Sequence, residues 1–203
     1  FHGTVTTQPG SYPAYLFFRW CRIRVHYCGL CISRHVHFVG IGGAGLSAMA
    51  RVLKQRGDLV TGSDRERSSF AQALEELSVP IVYAHRVENV VGADLVVASS
   101  AVPMNNVELQ AAQDQGIPIM RRSAFLEEVI AEQKAIAVAG THGKTTTTGL
   151  IAWLLTQADL DPSFIVGGTL SNFDTNAQAG SGDYFVIEAD EYDRLFLGLR
   201  PTI

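Results

Sequence analysis

Gly140-Thr141-His142-Gly143-Lys144-Thr145-Thr146-Thr147-Thr148 is the stretch on which the fold of this chain turns. The apolar run before it, residues 135–139, predicts a buried strand, and residues 150–155 behind it predict the inner face of a helix. Strand, glycine turn, Lys-Thr and helix form the layout of a phosphate-binding loop. Its glycines let backbone N–H groups point inward, and the helix N-terminus adds partial positive charge. Lys144 then serves as a point charge against terminal phosphates, and the Thr145 hydroxyl is a ligand for Mg²⁺. Two residues, Thr141 and His142, separate the glycines where the usual loop has four. The expected ligand is a nucleoside triphosphate held by Gly140, Thr141, His142, Gly143, Lys144, Thr145 and Thr146.

Nearer the start, residues 36–39 predict a short strand, and Gly40-Ile41-Gly42-Gly43-Ala44-Gly45 follows as G-x-G-x-x-G opening a helix over 46–55. A second strand, 59–62, delivers Ser63 and Asp64, with the acid nineteen residues past the last motif glycine. This is a dinucleotide-type fingerprint, which says that a phosphate-bearing nucleotide binds and leaves its identity open. Helices at 70–77, 107–115 and 124–132 alternate with strands at 81–83 and 94–98. In open parallel sheets ligands lie beyond the carboxyl ends of the strands, so Ser63, Asp64, His85, Ser99 and Ser100 should share that edge. Arg121 and Arg122 precede the last of these helices and face either a phosphate or water.

Past the Lys-Thr helix come Ser163-Phe164-Ile165-Val166, a break at Gly167-Gly168 and a polar loop holding Asn172 and Asn176. A strand at 184–187 then empties into Glu188-Ala189-Asp190-Glu191, three carboxylates placed where a nucleotide-bound Mg²⁺ would be held. Only two strands are expected in this second unit. Partners flanking Val138 and Val186 should be missing, and residues 134–203 should be less stable than 35–130.

Composition narrows the partners. The 203 residues are 47% hydrophobic and 18% charged, as in a globular protein. Residues 1–34 carry four arginines and no acid, leaving 12 basic against 20 acidic residues beyond them, which argues against nucleic acid. No apolar run is long enough to span a membrane. Cys21, Cys28 and Cys31 all fall near the start; Cys28-Gly-Leu-Cys31 has metal-ligand spacing but lacks a second pair. The cysteine-free remainder fits a reducing cytoplasm. The Arg-bearing start is compatible with a transit peptide, but a chain opening on Phe1 reads better as gene-boundary sequence, and no function is assigned to residues 1–34.

Together the motifs resemble the Mur ligases, the ATP-dependent amide-forming enzymes of peptidoglycan synthesis. The likeness runs from His35 to Ile203 and rests on 37–45, Gly62-Ser63-Asp64, Ser99-Ser100-Ala101-Val102, Gly116-Ile117-Pro118 with Arg121-Arg122, 140–148, Ser171-Asn172-Phe173 and 188–191. The short phosphate loop is that family's own form. Ala84, Val107 and Asp174 depart from the family pattern. The resemblance implies an α/β protein: a Rossmann-like parallel-sheet domain over 35–133, then the first part of a P-loop ATPase domain over 134–203. It further implies UDP-N-acetylmuramate and L-alanine as substrates, ATP and Mg²⁺ as cofactors with Thr145 and Glu188 as the metal ligands, and Lys144 and Glu188 as catalytic residues. Gly40, Gly42, Gly43, Ala44, Gly45, Ser63, Asp64, His85, Ser99 and Ser100 would form the UDP-sugar side. The reaction would pass through an acyl phosphate, and this chain by itself is expected to be inactive. A tripeptide-adding muropeptide-recycling ligase, a non-catalytic UDP-sugar-binding module and an NAD-dependent oxidoreductase remain as alternatives.

Overall fold

The computed structural model describes residues 33–189 and 201–203. The cysteines and most of the arginine-bearing start, and likewise Asp190 and Glu191, lie outside the described residues.

Two sheets organise the chain. The first has five parallel strands in the order β3-β2-β1-β4-β5: β1 His35–Val39, β2 Leu59–Ser63, β3 Ile81–Val82, β4 Leu95–Ala98 and β5 Ile119–Arg121. Between them run α1 Ala44–Gln55, α2 Ser69–Glu75, a 3-10 turn Val87–Val90, and α3 Val107–Asp114. The α4 helix, Arg122–Ile130, follows β5. The strand order reverses direction between β1 and β4, and a crevice opens at such a switch point.

Because side chains alternate across a strand, β1 feeds two cores. Val36 and Phe38 join the cluster under α1 and α4, where Phe38 meets Phe125 edge-on at 5.7 Å between ring centroids. Val39, Val96 and Ala98 join the cluster under α3. His37 alternates onto this second face, a buried polar residue inside an apolar strand.

The second sheet holds four strands, not two. In the order β6-β9-β7-β8 these are β6 Lys134–Val138, β7 Ser163–Leu170, β8 Thr175–Gln178 and β9 Tyr184–Glu188. Only β8 runs antiparallel to its neighbour. The Gly167-Gly168 pair expected to break the chain lies inside β7, whose register with β8 shifts between Ile165 and Leu170. The expected polar loop contains β8, with Asn176 in the strand. Val186 is flanked on both sides, by Ile136 and Phe164, so the expectation of missing partners fails there. Along β6, the Ala137 N–H donates to Ile203 O and the Thr202 N–H to Ala135 O, so residues 202–203 run beside that strand.

Helix α5, Lys144–Gln157, covers one face of this sheet but not as its apolar run suggested. It buries Thr148, Gly149 and Ala152, while Leu150 and Leu154 stay 54% and 57% exposed. Six consecutive apolar residues cover the whole helix circumference, so at 100° per residue the sheet takes only part of them. The opposite face of the sheet, through Ile165, Ala177, Phe185 and Ile187, belongs to the same buried cluster as Val36 and Phe38. The two sheets therefore share one core. Helix α1 reaches β7 and β8 as well as α2 and α4. At the seam Arg56 donates to Val129 O and Gln133 Oε1, both at 2.7 Å, and lies over the Phe185 ring. Gln133 in turn donates to Gly182 O.

Candidate functional site

A cavity of about 320 Å³ opens beyond the carboxyl ends of β1, β2 and β4, lined by Gly40, Gly43, Asp64, His85, Ser99 and Asn106 among others. A second, of about 340 Å³, shares Arg65, His85, Pro103 and Asn106 with it. The first glycine turn is pinned to the loop after β2. The Gly42 N–H donates to Asp64 Oδ2 at 2.8 Å, and Ser68 Oγ donates to Gly42 O at 2.8 Å. A Cβ on Gly42 would sit 2.9 Å from Asp64 Oδ2, so a side chain there would break this closure. Asp64 Oδ1 accepts from the Arg65 and Glu66 N–H groups, which folds the loop around the carboxylate.

Of the residues expected at this edge, Gly40, Gly43, Asp64, His85 and Ser99 meet at the cavity wall. Gly42, Ala44, Gly45 and Ser100 do not line it. Gly45 instead lies close to Arg122, whose Nη1 is 2.3 Å from where a Cβ would stand. Ser63 is fully buried below the cavity. Arg121 holds the loop after β4, donating to Ser99 O at 2.8 Å and Val102 O at 2.9 Å, and so shapes the cavity through the backbone.

Sequence reasoning missed Glu108, the most heavily engaged group at this edge. It is a wholly buried carboxylate in the first turn of α3, whose N-terminus is capped by Asn106 Oδ1 accepting from the Glu108 N–H at 2.9 Å. Ser63 Oγ donates to Glu108 Oε2 at 2.6 Å, and Asn89 Nδ2 donates to Oε1. The Arg86 N–H also donates to Oε1, at 3.3 Å. His85 Nδ1 lies 3.2 Å from Oε2, and His37 Nε2 stands 3.8 Å away, an ion-pair separation longer than a hydrogen bond. Burial pushes the Glu108 carboxyl up, but His37, Ser63 and Asn89 outweigh it and hold the pKa at about 2. The signal for this carboxylate was present in two places. A histidine inside a buried strand and a serine at a strand end both demand polar partners.

The second glycine loop closes on α5 through Gly143, whose φ of 75° is a left-handed conformation that favours glycine. Lys144 Nζ folds back to donate to Gly140 O at 2.8 Å. Thr145 Oγ1 donates to Glu188, 3.0 Å from Oε1 and 3.2 Å from Oε2, and the Gly167 N–H donates to Oε2 at 2.8 Å. Loop, strand end and bulged strand thus converge on one carboxylate. A hydroxyl beside a carboxylate at a helix N-terminus is the oxygen donor set a hard divalent cation takes. Among the described residues no group of three or more His, Cys, Asp or Glu is arranged to hold a metal alone, so such an ion would need further oxygens, as from a phosphate. No helix among the described residues is long and apolar enough to cross a membrane.

Residues 35–134 match the family model described as "Mur ligase family, catalytic domain". The chain is 51% identical over 168 residues to the UDP-N-acetylmuramate–L-alanine ligase of Legionella pneumophila (strain Corby), covering 83% of this chain and 36% of that one. Among solved structures, the UDP-N-acetylmuramate-alanine ligase of Thermotoga maritima matches with a TM-score of 0.76 and 34% identity, over 82% of this chain and 39% of that one. A murein peptide ligase of Psychrobacter arcticus matches with a TM-score of 0.77 and 33% identity, over 83% and 42%. The chain spans about a third of the length of the curated relatives it matches. With its parallel sheet, its two glycine turns and these relatives, the chain belongs to the Mur ligase family.

Proposed function

We propose that this chain carries the nucleotide-sugar and ATP-binding parts of a cytoplasmic ligase that joins L-alanine to UDP-N-acetylmuramate. The observation that carries this reading is the pair of phosphate-type turns on one chain, each at the carboxyl edge of its own sheet. The cavity at Gly40, Asp64, His85 and Ser99 takes the UDP-sugar, and residues 140–146 take the ATP phosphates. Identity of 51% with an alanine-adding relative supports alanine as the second substrate. The fold likeness to a murein peptide ligase keeps a peptide-adding enzyme as the second reading.

In this mechanism the γ-phosphoryl group of ATP passes to the lactyl carboxylate of the sugar, giving an acyl phosphate and ADP. The alanine amine then attacks the acyl carbon, and phosphate leaves as the amide forms. The first-turn N–H groups of α5 orient the phosphates. Lys144 leaves Gly140 O to meet the charge that develops on the transferred group. Thr145 and Glu188 would hold Mg²⁺, which when bound neutralises phosphate charge. Gly167 keeps the Glu188 carboxylate aimed at Thr145 by its N–H. The test is turnover in a chain extended to its relatives' length. Lys144→Ala should lose on the order of 10²-fold or more in kcat, and near-normal turnover would overturn the role.

A further inference from the structure

The ring of His85 is the part of the cavity wall whose chemistry is fixed from behind. Its Nδ1 has two neighbours, Glu108 Oε2 at 3.2 Å and Ser63 Oγ at 3.3 Å. Neither has a hydrogen to give. The Glu108 carboxylate is ionised, and an ionised carboxylate only accepts. Ser63 has one hydroxyl hydrogen, and it goes to Glu108 at 2.6 Å. Nδ1 therefore carries the proton, and in the neutral ring Nε2 is left with a lone pair. The side chain is 13% exposed at the cavity, and Nε2 has no hydrogen-bond partner among the described residues.

We propose that Glu108 is a positioning residue that locks His85 as the Nδ1–H tautomer, making Nε2 the cavity's acceptor for an N–H or hydroxyl group of the bound nucleotide-sugar. Ionised phosphate oxygens have no hydrogen to offer a lone pair, so His85 meets a base or sugar donor and the phosphates lie elsewhere in the crevice. Glu108 is itself held from four directions, by Ser63, Asn89, the Arg86 N–H and the Asn106 cap on its own N–H. It cannot swing away to release the ring. The ligand half of this proposal rests on the reading of the cavity as a nucleotide-sugar site; the tautomer half does not.

The two halves have separate readouts. Long-range ¹H–¹⁵N correlation spectra of the full chain with labelled histidines report the His85 tautomer, and calorimetry with UDP-N-acetylmuramate reports binding. We expect the wild type, at a pH where the ring is neutral, to show protonated Nδ1 and bare Nε2. In Glu108→Gln, whose amide both donates and accepts, the tautomers should mix, and the dissociation constant should rise about tenfold, the scale of one misdirected hydrogen bond. Ser63→Ala should keep the tautomer, because Glu108 remains. If Glu108 were only a structural tie between α3 and β2, Glu108→Gln would lower stability and leave tautomer and affinity unchanged, which overturns the proposal. Should that variant not fold, the wild-type spectrum decides: a neutral ring protonated on Nε2 overturns it equally. An intact, Glu108-dependent tautomer with no UDP-N-acetylmuramate binding upholds the positioning role and overturns the reading of the cavity.

Discussion

Acid should destabilise this protein through one carboxylate in particular. Glu108 is wholly buried, and its pKa of about 2 stands against an ordinary value of 4.5. A folded-state pKa below the unfolded one gives stability that is fully present above the unfolded value and is lost as pH falls through the folded one. At about 1.36 kcal/mol per pH unit of difference, the carboxylate contributes on the order of 3 kcal/mol near neutrality, of which roughly 2 kcal/mol is gone by pH 3. That is a large share of a typical domain's stability of about 5–15 kcal/mol. The assay is urea unfolding at a series of pH values between 7 and 3, on wild type and Glu108→Gln. The variant should be less stable at pH 7, since the ionised acceptor of Ser63, His85 and Asn89 is gone. Its stability should then fall less steeply below pH 5. Asp161, whose carboxyl is lowered by the Ser181 N–H and hydroxyl, adds acid sensitivity to both proteins and cancels in the comparison. Parallel slopes for the two proteins would refute the assignment of that free energy to Glu108.

Other perturbations read different parts of the structure. Gly62→Ala would put a Cβ 2.5 Å from Ile41 Cδ1 and 2.9 Å from its Cβ; thermal unfolding should show a loss of about 1–3 kcal/mol, and that loss should shrink when the same change is made in an Ile41→Ala background. Arg56→Ala removes two hydrogen bonds and a ring contact at the seam between the sheets and should cost about 2–3 kcal/mol by the same measurement. Because Phe185 and Ile187 share a core with Val36 and Phe38, hydrogen exchange should protect β9 about as strongly as β1; markedly faster exchange in β9 would restore the expectation of a weak second unit. The chain alone should release no ADP in response to alanine, a point a coupled assay checks directly.

The sequence carried the first sheet well because its signals are local. Residues 36–39, 59–62 and 94–98 are short apolar runs ending at turns, and helices of ordinary length lie between most of them. Strands without that signature were lost. Ile119–Arg121 is three residues ending in a charge, and Thr175–Gln178 has Ala177 as its one apolar residue, so only pairing with a neighbour makes either a strand. The α5 face was misread because 150–155 is apolar all round, and periodicity cannot pick a face from such a run. The candidate site divides in the same way. Glycine turns, Asp64 and Lys144-Thr145 are legible from spacing. Glu108 reads in sequence as an ordinary acid in a helix's first turn, favourable to the dipole. Its burial against Ser63 and His85 depends on partners 45 and 23 residues away.

The central claim, that the first glycine turn serves a UDP-sugar and the second serves ATP, is tested most directly by titrating the chain with one ligand at a time and following backbone amides by NMR. UDP-N-acetylmuramate should saturate with shifts at Gly40, Asp64, His85 and Ser99, ATP–Mg²⁺ should shift Gly143, Lys144, Thr145 and Gly167, and NAD should shift neither group. Saturable NAD binding at Gly40 and Asp64, with no response there to UDP-N-acetylmuramate, would contradict the account.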